Sequence, residues 1–447
     1  MAGIMRNGKD KIDLIVNAGT LLTLDINDSV LYNKSIHIKD GKIFKIIDIS
    51  EIENFYCDVP ILKAENHIVM PGFINTHTHL AMSYFKGIAE DIPLEKWLND
   101  YIWPVEKRCI NPDFIYEASL HGIAELIKNG ITFFNDMYFL PEQTLKACED
   151  SNIRAVIGIW VKDIISEAKN ENKCIYNYTK NILEKINNSP LIDYSIWVHS
   201  VYGSTEEEWK KAILLAKENS ILLHTHLSET ATEVKNCIKK NNKTPVSFVN
   251  DFGAFDINHV FAHGVHLQKE DFQIIKNKPC SIAMNLNSNL KLSSGILPIR
   301  EYLNNNTNVS IGTDGVASNN NLSISDELST AGKLFKTIYE DTSFLPAREL
   351  VRMGTINGAK ALQKQNITGS IEVGKSADMI SINVNNFQCQ PIYDPYSYIV
   401  YSMNKQKINN VIINGKIVLK DGALTTIDEE LLLKNVYKNR KKVMSSI

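Results

Sequence analysis

The sequence lacks the features that mark membrane-anchored, secreted or nucleic-acid-binding proteins. Its start, MAGIMRNGKDKIDLIVNAG, has no apolar run long enough for a signal peptide or a membrane anchor. The formal net charge is -3, and the chain has no long basic or acidic run. We therefore expect no nucleic-acid partner and no membrane surface, and we predict a cytoplasmic protein.

Cysteine is scarce, and its spacing excludes the usual paired motifs. The chain has no C-x-x-C pair, and its seven cysteines are Cys57, Cys109, Cys148, Cys174, Cys237, Cys280 and Cys389. A scattered, odd-numbered set of this kind favours free thiols in a reducing compartment over a disulfide framework.

Both ends of the chain alternate apolar and polar residues, the pattern of half-buried antiparallel strands. It appears near the start in LIVNAGTLLTLD and KSIHIKDGKIFKI, and near the end in ADMISINV and NNVIINGKIVLKDGAL. Turns of the NG and DG type separate these segments. We predict that residues 1–68 and 369–447 together build one small β-sandwich domain.

The middle of the chain contains eight short apolar runs, most of them separated by helical patterns. They read HIVMPGFINTHTH, ITFFNDM, IRAVIGIW, DYSIWVHS, ILLHTHLS, HVFAHGV, CSIAMNL and NVSIGTDG. Their length and β-branched content suit strands that are buried on both faces of a parallel sheet. We predict an α/β fold in which residues 69–368 form a (β/α)₈ TIM-type barrel.

One helix of this barrel has clear end signals in the sequence. In NPDFIYEASLHGIAELIKNG, Asn111 is a candidate N-cap, Pro112 suits the first helical position and Gly130 can end the helix. The connection before it, residues 83–111, is long, and long barrel loops often form substrate pockets.

Histidines and acidic residues recur where the apolar runs end. Catalytic groups of such barrels gather at the C-terminal ends of the strands. The first and fifth runs each place two histidines on one face, because strand side chains alternate with a period of two. The candidates are His77, His79, His199, His224, His226, Glu229, His263 and Asp314.

These residue types suggest a metal site, although each has an ordinary alternative role. Neutral imidazoles that converge with a carboxylate suit Zn²⁺ or another divalent transition metal. Asp314 could instead cap a helix, Glu229 could be a first-turn acid, and His224 could support the site from one layer below. We predict purely structural roles for His37, His67, His121, His259 and His266.

The same residues resemble those of the amidohydrolase superfamily. A closer resemblance, to the 5′-methylthioadenosine/S-adenosylhomocysteine deaminases and the neighbouring triazine chlorohydrolases, begins with PGFINTHTHLAMSYFKGIAEDIPLEKWLNDYIWPVEKR. It continues over nearly the whole chain in NDMYF, HSVYGST, HTHLSET, FAHGVHL, GTDGVASNNNL and GSIEVGKSADM.

The resemblance implies a role for each candidate. It implies one divalent ion per subunit, Zn²⁺ with Fe²⁺ as the alternative, held by His77, His79, His226 and Asp314. Binuclear relatives have a lysine where this chain has His199, so a single ion is expected. It further implies catalytic roles for Glu229, His263 and Asp314, and nucleoside contacts from Trp97, Glu106 and His199. Homo-oligomers are common in the family, and we expect one here.

One departure from the family pattern concerns the substrate. Members that accept S-adenosylhomocysteine carry arginines at and after the end of the third strand. In IRAVIGIWVKDIISEAKNENK that place holds Ile159 and Trp160, with only lysines beyond, and Arg154 begins the strand. We therefore expect 5′-methylthioadenosine or adenosine to be favoured, with Trp160 as a candidate contact for a methylthio group.

The sequence thus predicts a hydrolytic deaminase that converts an adenine nucleoside to its inosine analogue and ammonia. In this hypothesis Asp314 and His263 take a proton from water, and Glu229 protonates the ring nitrogen beside C6. The alternatives are the same barrel acting on guanine, a pterin or a triazine, a non-catalytic scaffold, and a metal-storage or sensing protein. Glu106 and HSVYGST favour a substrate that carries ribose.

Overall fold

The computed structural model describes residues 11–52, 59–164, 189–403 and 408–447. Its strands are β1 (Leu14–Leu22), β2 (Val30–Lys39), β3 (Lys42–Asp48), β4 (Ile61–Pro71), β5 (Phe73–Thr78), β6 (Ile131–Asp136), β7 (Arg154–Trp160), β8 (Ile192–Val198), β9 (Leu222–Leu227), β10 (His259–His263), β11 (Cys280–Met284), β12 (Asn308–Ile311), β13 (Met379–Asn383), β14 (Asn410–Ile413), β15 (Lys416–Lys420) and β16 (Ala423–Leu424).

The helices of the described residues are α1 (Leu94–Trp97), α2 (Trp103–Cys109), α3 (Pro112–Lys128), α4 (Pro141–Ser151), α5 (Glu206–Asn219), α6 (Ala231–Asn241), α7 (Pro245–Asn250), α8 (Lys269–Ile275), α9 (Leu286–Lys291), α10 (Ile299–Asn304), α11 (Val316–Asn319), α12 (Ile324–Ile338), α13 (Ala347–Met353), α14 (Ile356–Ala361), α15 (Pro395–Tyr401) and α16 (Glu429–Met444). Short 3₁₀ turns lie at Ile49–Glu51 and Leu80–Phe85, and Leu98–Ile102 forms a π-helical turn between α1 and α2.

Strands β5 to β12 form a parallel sheet in which every strand pairs with its neighbours in the chain. The sheet curves until its two edge strands meet. There the Thr76 hydroxyl lies 2.9 Å from the carbonyl oxygen of Ile311, and the Asp314 amide donates to the His77 carbonyl at 3.0 Å. The predicted eight-stranded α/β barrel is therefore confirmed.

The first apolar run contains parts of two strands, where the sequence predicted one. Residues up to Pro71 belong to β4 in the other sheet, and β5 begins at Phe73. The chain changes sheet at Gly72, where a Cβ atom would lie 2.1 Å from Cγ2 of Thr132. This close approach requires glycine. The proposed boundary at residue 68 falls inside β4.

The two chain ends build the second sheet, in the order β16-β15-β14-β13-β4-β1-β2-β3. β1 and β4 pair in parallel, and the other neighbours are antiparallel. The sheet folds back on itself, so that the turn between β2 and β3 contacts the segment before β13. There the Ala377 amide donates to the Gly41 carbonyl at 2.9 Å. Its inner side chains, among them Val16, Ile36 and Met379, form a separate core. The predicted second domain from both chain ends is confirmed.

Helix α3 begins and ends where the sequence signals predicted. The Asn111 side chain accepts a hydrogen bond from the Phe114 amide at 3.1 Å, Pro112 is the first helical residue, and Gly130 follows the helix with a φ of 76°. The helix buries one face, which includes Ile115, against the barrel core.

The described residues include five of the seven cysteines. The five cysteines among them, Cys109, Cys148, Cys237, Cys280 and Cys389, are buried free thiols. Cys57 and Cys174 lie outside the described residues. In the ranges that the structure describes, no helix has both the length and the apolar character needed to cross a bilayer.

Candidate active site

A cavity opens at the C-terminal ends of the barrel strands. Eight of the nine residues predicted for the site line it: His79, Trp97, Glu106, His199, His226, Glu229, His263 and Asp314. The ninth, His77, lies at its base and is completely buried. The structure therefore brings together candidates from five different strands and the long loop after β5.

Four of these residues converge on one point. One ligand atom each from His77, His79, His226 and Asp314 lie within 4.8 Å of one another. Oδ1 of Asp314 is 3.5 Å from Nε2 of His77 and 3.3 Å from Nε2 of His79. Three imidazoles and a carboxylate at this spacing form a donor set for a divalent transition metal.

The hydrogen bonds of two rings fix which nitrogen faces this point. Nδ1 of His79 lies 2.6 Å from the Met137 carbonyl oxygen, and Nδ1 of His226 lies 2.8 Å from that of His199. A carbonyl oxygen only accepts, so each Nδ1 carries the proton and each Nε2 carries a lone pair. This outer support is typical of histidines that bind metal.

His77 is held in a comparable way by a second histidine. Its Nδ1 lies 2.9 Å from Nε2 of His224, whereas its own Nε2 is buried with no hydrogen-bond partner among the described residues. Burial lowers the pKa of His77 to about 3, which keeps the ring neutral. His224 is outside the four-residue cluster and lies behind His77. An unpaired buried nitrogen that faces the other donors is what a metal ligand requires.

Asp314 is oriented by donors on its own loop and the preceding one. The hydroxyls of Ser288 and Ser318 donate to Oδ2 at 2.6 Å and 2.9 Å, and the Gly315 amide donates to Oδ1 at 2.8 Å. Three donors stabilise the ionised carboxylate. The backbone of Asp314 has a φ of 63°, a conformation that is uncommon for residues other than glycine and recurs at functional sites.

Glu229 and His263 face each other beside the cluster. Oε2 of Glu229 lies 3.8 Å from Nε2 of His263, and Oε1 accepts a hydrogen bond from the Ser294 hydroxyl at 3.1 Å. Nδ1 of His263 lies 2.8 Å from Oδ1 of Asn289, whose oxygen only accepts. His263 therefore presents Nε2, like the rings of the cluster. Both side chains are almost completely buried.

Glu106 enters the cavity from helix α2 in the long loop. The Tyr138 hydroxyl donates to its carboxylate at 2.7 Å. Burial raises the pKa of Glu106 to about 7, although the Tyr138 hydrogen bond opposes this shift. Trp97 is fixed nearby by a hydrogen bond from its indole nitrogen to the Ile88 carbonyl at 3.2 Å.

His199 lies at the end of β8, directly behind His226. Its Nδ1 is 3.0 Å from the Ser200 hydroxyl, and burial lowers the pKa of the ring to about 4. A neutral ring at this position can donate one hydrogen bond to a ligand in the cavity or accept one from it.

Three aromatic residues pack together beside the cavity. The rings of Trp160 and Trp197 stack with centroids 5.0 Å apart and an interplanar angle of 1°, and Phe139 packs on both. Phe139 and Trp197 line the cavity, whereas Trp160 does not. Of the stretch after Trp160 that the sequence singled out, residues 165–173 lie outside the described residues.

Sequence reasoning missed the residues that support the candidates. They are Tyr138 on Glu106, Ser294 on Glu229, Asn289 on His263, and Ser288 and Ser318 on Asp314. Several come from NLNSNLKLSSG, a polar stretch directly after β11. Its place at the C-terminal end of a barrel strand is the signal that could have indicated them.

Comparison with known proteins identifies the family to which the chain belongs. The model of the amidohydrolase family matches residues 68–418. The chain is 38% identical over 421 residues to a 5-methylthioadenosine/S-adenosylhomocysteine deaminase of Thermodesulfovibrio yellowstonii, covering 94% of this chain and 96% of that protein. It is 38% identical over 412 residues to a 5′-deoxyadenosine deaminase of Methanococcus vannielii, covering 91% and 96%.

A solved structure shows the same architecture. The zinc-bound adenosine deaminase of Xanthomonas campestris superposes with a TM-score of 0.90 at 26% identity, covering 97% of this chain and 99% of the other. The chain belongs to the amidohydrolase family. It is a hydrolase that acts on C–N bonds, and the predicted family and enzyme class are confirmed.

Proposed function

We propose that this protein is a metal-dependent deaminase of adenine nucleosides that carry a small, uncharged 5′ group. The reaction adds water across the bond between C6 and the neighbouring ring nitrogen, which forms a C6–O bond; the bond from C6 to the exocyclic nitrogen then breaks and ammonia is released. One observation carries the proposal. The Nε2 atoms of His79 and His226 lie 3.1 Å apart in a cavity that is also lined by Glu229 and by Glu106, a carboxylate from the long loop.

The proposed metal ligands are His77, His79, His226 and Asp314. Their neutral nitrogens and single carboxylate suit Zn²⁺ or Fe²⁺. When bound, such an ion supplies a Lewis acid that makes water a strong nucleophile near neutral pH. The zinc in the Xanthomonas campestris structure supports this assignment.

The proposed proton transfers use three side chains of the cluster region. Asp314 and His263 accept the proton of the attacking water, and both follow or end barrel strands and line the cavity. Glu229 protonates the ring nitrogen beside C6, which makes C6 electrophilic, and then helps to deliver a proton to the departing amine. Acid–base help of this kind contributes on the order of 10²–10⁴-fold.

The proposed nucleoside contacts come from the long loop, from Tyr138 and from the end of β8. Glu106 accepts hydrogen bonds from the ribose hydroxyls, and Tyr138 holds the carboxylate in place for them. Trp97 closes the same side of the cavity, and His199 hydrogen-bonds to the purine. These four residues line the cavity at its loop side and at the end of β8.

A small, uncharged 5′ group is favoured by the character of the described lining. No lysine or arginine is among the described residues that line the cavity, and Phe139, Trp197 and Leu98 offer apolar surface. An amino-acid carboxylate would find no opposite charge on that surface. Relatives named for 5′-deoxyadenosine and for S-adenosylhomocysteine are equally similar to this chain, so the choice of 5′ group rests on the lining of the cavity.

The proposal is tested by ammonia release from the zinc-loaded protein. We expect kcat/KM for 5′-methylthioadenosine and 5′-deoxyadenosine to exceed that for S-adenosylhomocysteine by about tenfold or more, because the carboxylate is desolvated without a partner. Comparable rates on all three would contradict the choice of 5′ group. No ammonia from any of them, with one ion bound per chain, would overturn the proposed activity itself.

A further inference from the structure

Glu233 is a buried carboxylate in the first turn of helix α6, which follows β9. Its Oε2 accepts a hydrogen bond from the amide of Glu229 at 2.8 Å, and its Oε1 accepts one from the amide of Ser228 at 3.2 Å. Both oxygens therefore accept hydrogen bonds from main-chain amides of the two residues that directly follow β9. One of these residues, Glu229, is the proposed acid. Glu233 does not itself line the active-site cavity.

This arrangement differs from ordinary helix capping. Thr230 caps helix α6 by accepting from the Glu233 amide at 3.1 Å, so Glu233 occupies the position from which a capping-box carboxylate reaches back to the cap residue. Here the carboxylate passes Thr230 and binds the two residues before it. Capping of helix α6 does not require the Glu233 carboxylate to bind these two amides.

Helix α5 provides the ordinary case in the same chain. Thr205 accepts from the Glu208 amide at 3.2 Å, and Oε2 of Glu208 accepts from the Thr205 amide at 2.8 Å. This capping box is exposed and lies at the cap residue itself. The two T-x-x-E segments thus have the same sequence pattern and different hydrogen-bond partners.

The turn that Glu233 holds has an unusual backbone and a second attachment. Ser228 has a φ of 52°, in the left-handed region, and its carbonyl accepts from the amides of Val265 and His266 at 3.0 Å and 2.9 Å. Those two residues directly follow His263 and Gly264. The turn after β9 is therefore tied to the turn after β10, which fixes the main chain that carries Glu229 relative to that of His263.

We propose that Glu233 is a positioning residue, whose carboxylate holds the Ser228–Glu229 main chain so that the Glu229 side chain faces His263 and the metal-ligand cluster. The inference rests on the proposed function in one respect, that Glu229 transfers the proton. We call the two hydrogen bonds from Glu233 to the Ser228 and Glu229 amides the clamp. The clamp does not depend on which reaction the site catalyses.

The first test compares Glu233→Gln with the matched control Glu208→Gln. Glutamine keeps one acceptor oxygen and turns an NH₂ group towards the second amide, so one clamp bond is lost. For Glu233→Gln we expect kcat to fall on the order of 10- to 100-fold with KM and bound metal nearly unchanged, because a displaced catalytic group mainly affects the transition state. Glu208→Gln is expected to keep the wild-type kcat.

A second variant separates position from charge. Glu233→Asp keeps the negative charge and shortens the side chain by one methylene, so it cannot reach both amides. We expect its kcat to fall as well. Wild-type kcat in Glu233→Asp or in Glu233→Gln would overturn the inference, and so would a loss of activity that follows a loss of bound metal. If Glu233→Gln does not fold, the kcat of Glu233→Asp is the deciding measurement.

Amide hydrogen exchange tests the clamp without any substrate. The amides of Ser228 and Glu229 are expected to exchange faster in Glu233→Gln than in the wild type, while the protection of the Thr205 and Glu208 amides stays the same. Unchanged exchange would overturn the inference even if the enzyme deaminates nucleosides. Faster exchange in a protein that releases no ammonia would support the clamp and refute only the proposed function.

Discussion

Nε2 of His79 lies 3.1 Å from Nε2 of His226, while each ring donates its Nδ1 proton to a main-chain carbonyl. Two lone pairs therefore face each other, and they repel unless a cation or a proton lies between them. The relationship predicts tight binding of one divalent ion.

The first prediction concerns metal and stability. Removal of the ion with a chelator should lower the thermal midpoint, and one equivalent of Zn²⁺ should restore it, because a ligand that binds only the folded state stabilises that state. His226→Ala should bind far less metal and lose activity. Elemental analysis and thermal unfolding check both points. A wild type that unfolds at the same temperature with and without Zn²⁺ would contradict the proposed site.

The second prediction separates the proposed acid from the ligands. Glu229→Gln should retain one ion per chain and lose kcat by a factor on the order of 10²–10⁴, because glutamine has nearly the same shape and cannot deliver a proton. The measurement is kcat together with metal content of the same sample. Loss of the ion in this variant would show that Glu229 supports the metal site and would refute its assigned role.

The third prediction is a pH dependence of KM that arises from Glu106. Burial raises the pKa of Glu106 to about 7, so in the free protein its carboxyl group is protonated below that pH. Protonation weakens its hydrogen bonds to the ribose hydroxyls, because they are then no longer charge-assisted. KM should therefore rise as the pH falls through about 7.

Tyr138→Phe provides the matched test of this assignment. The Tyr138 hydroxyl stabilises the Glu106 carboxylate and lowers its pKa, so its removal should raise the pKa and move the increase in KM to higher pH. Glu106→Gln should remove this part of the pH dependence. A KM profile from about pH 5.5 to about pH 8.5 distinguishes these cases. An unchanged profile in Glu106→Gln would contradict the prediction.

Local patterns were sufficient to predict the barrel strands. Each of the eight apolar runs contains one strand of the barrel sheet, since buried parallel strands need continuous apolar sequence. The change of sheet at Gly72 was not predictable, because it depends on the proximity of Thr132 from another strand. The first run is apolar on both sides of that glycine, so hydrophobicity alone does not mark the break.

The site was predictable where its residues repeat along a strand and unpredictable where they come from distant segments. His77 and His79 lie two residues apart, and their spacing alone placed them on one face. Tyr138 and Ser294, in contrast, reach Glu106 and Glu229 across 32 and 65 residues of sequence. The left-handed backbone at Asp314 has no glycine to mark it, since it is imposed by the surrounding fold.

The fourth prediction concerns the junction between the two domains. Arg154, at the start of β7, donates from Nε to Asp378 at 3.0 Å and from Nη2 to the Ser376 hydroxyl at 2.9 Å, and the ion pair is almost completely buried. Arg154→Met should lower the free energy of unfolding by about 3–5 kcal/mol, because it leaves the Asp378 charge buried without its counter-ion. Urea unfolding measures this difference.

A matched exposed pair provides the control for Arg154→Met. Lys278 and Asp256 lie 2.6 Å apart with both side chains partly in solvent. Lys278→Met should cost no more than about 1 kcal/mol, because water already screens and solvates both charges. The kcat/KM of folded Arg154→Met should equal that of the wild type, since Arg154 pairs with the end sheet and does not line the cavity. Equal losses of stability in the two variants would show that the Arg154–Asp378 pair contributes no more than a surface contact.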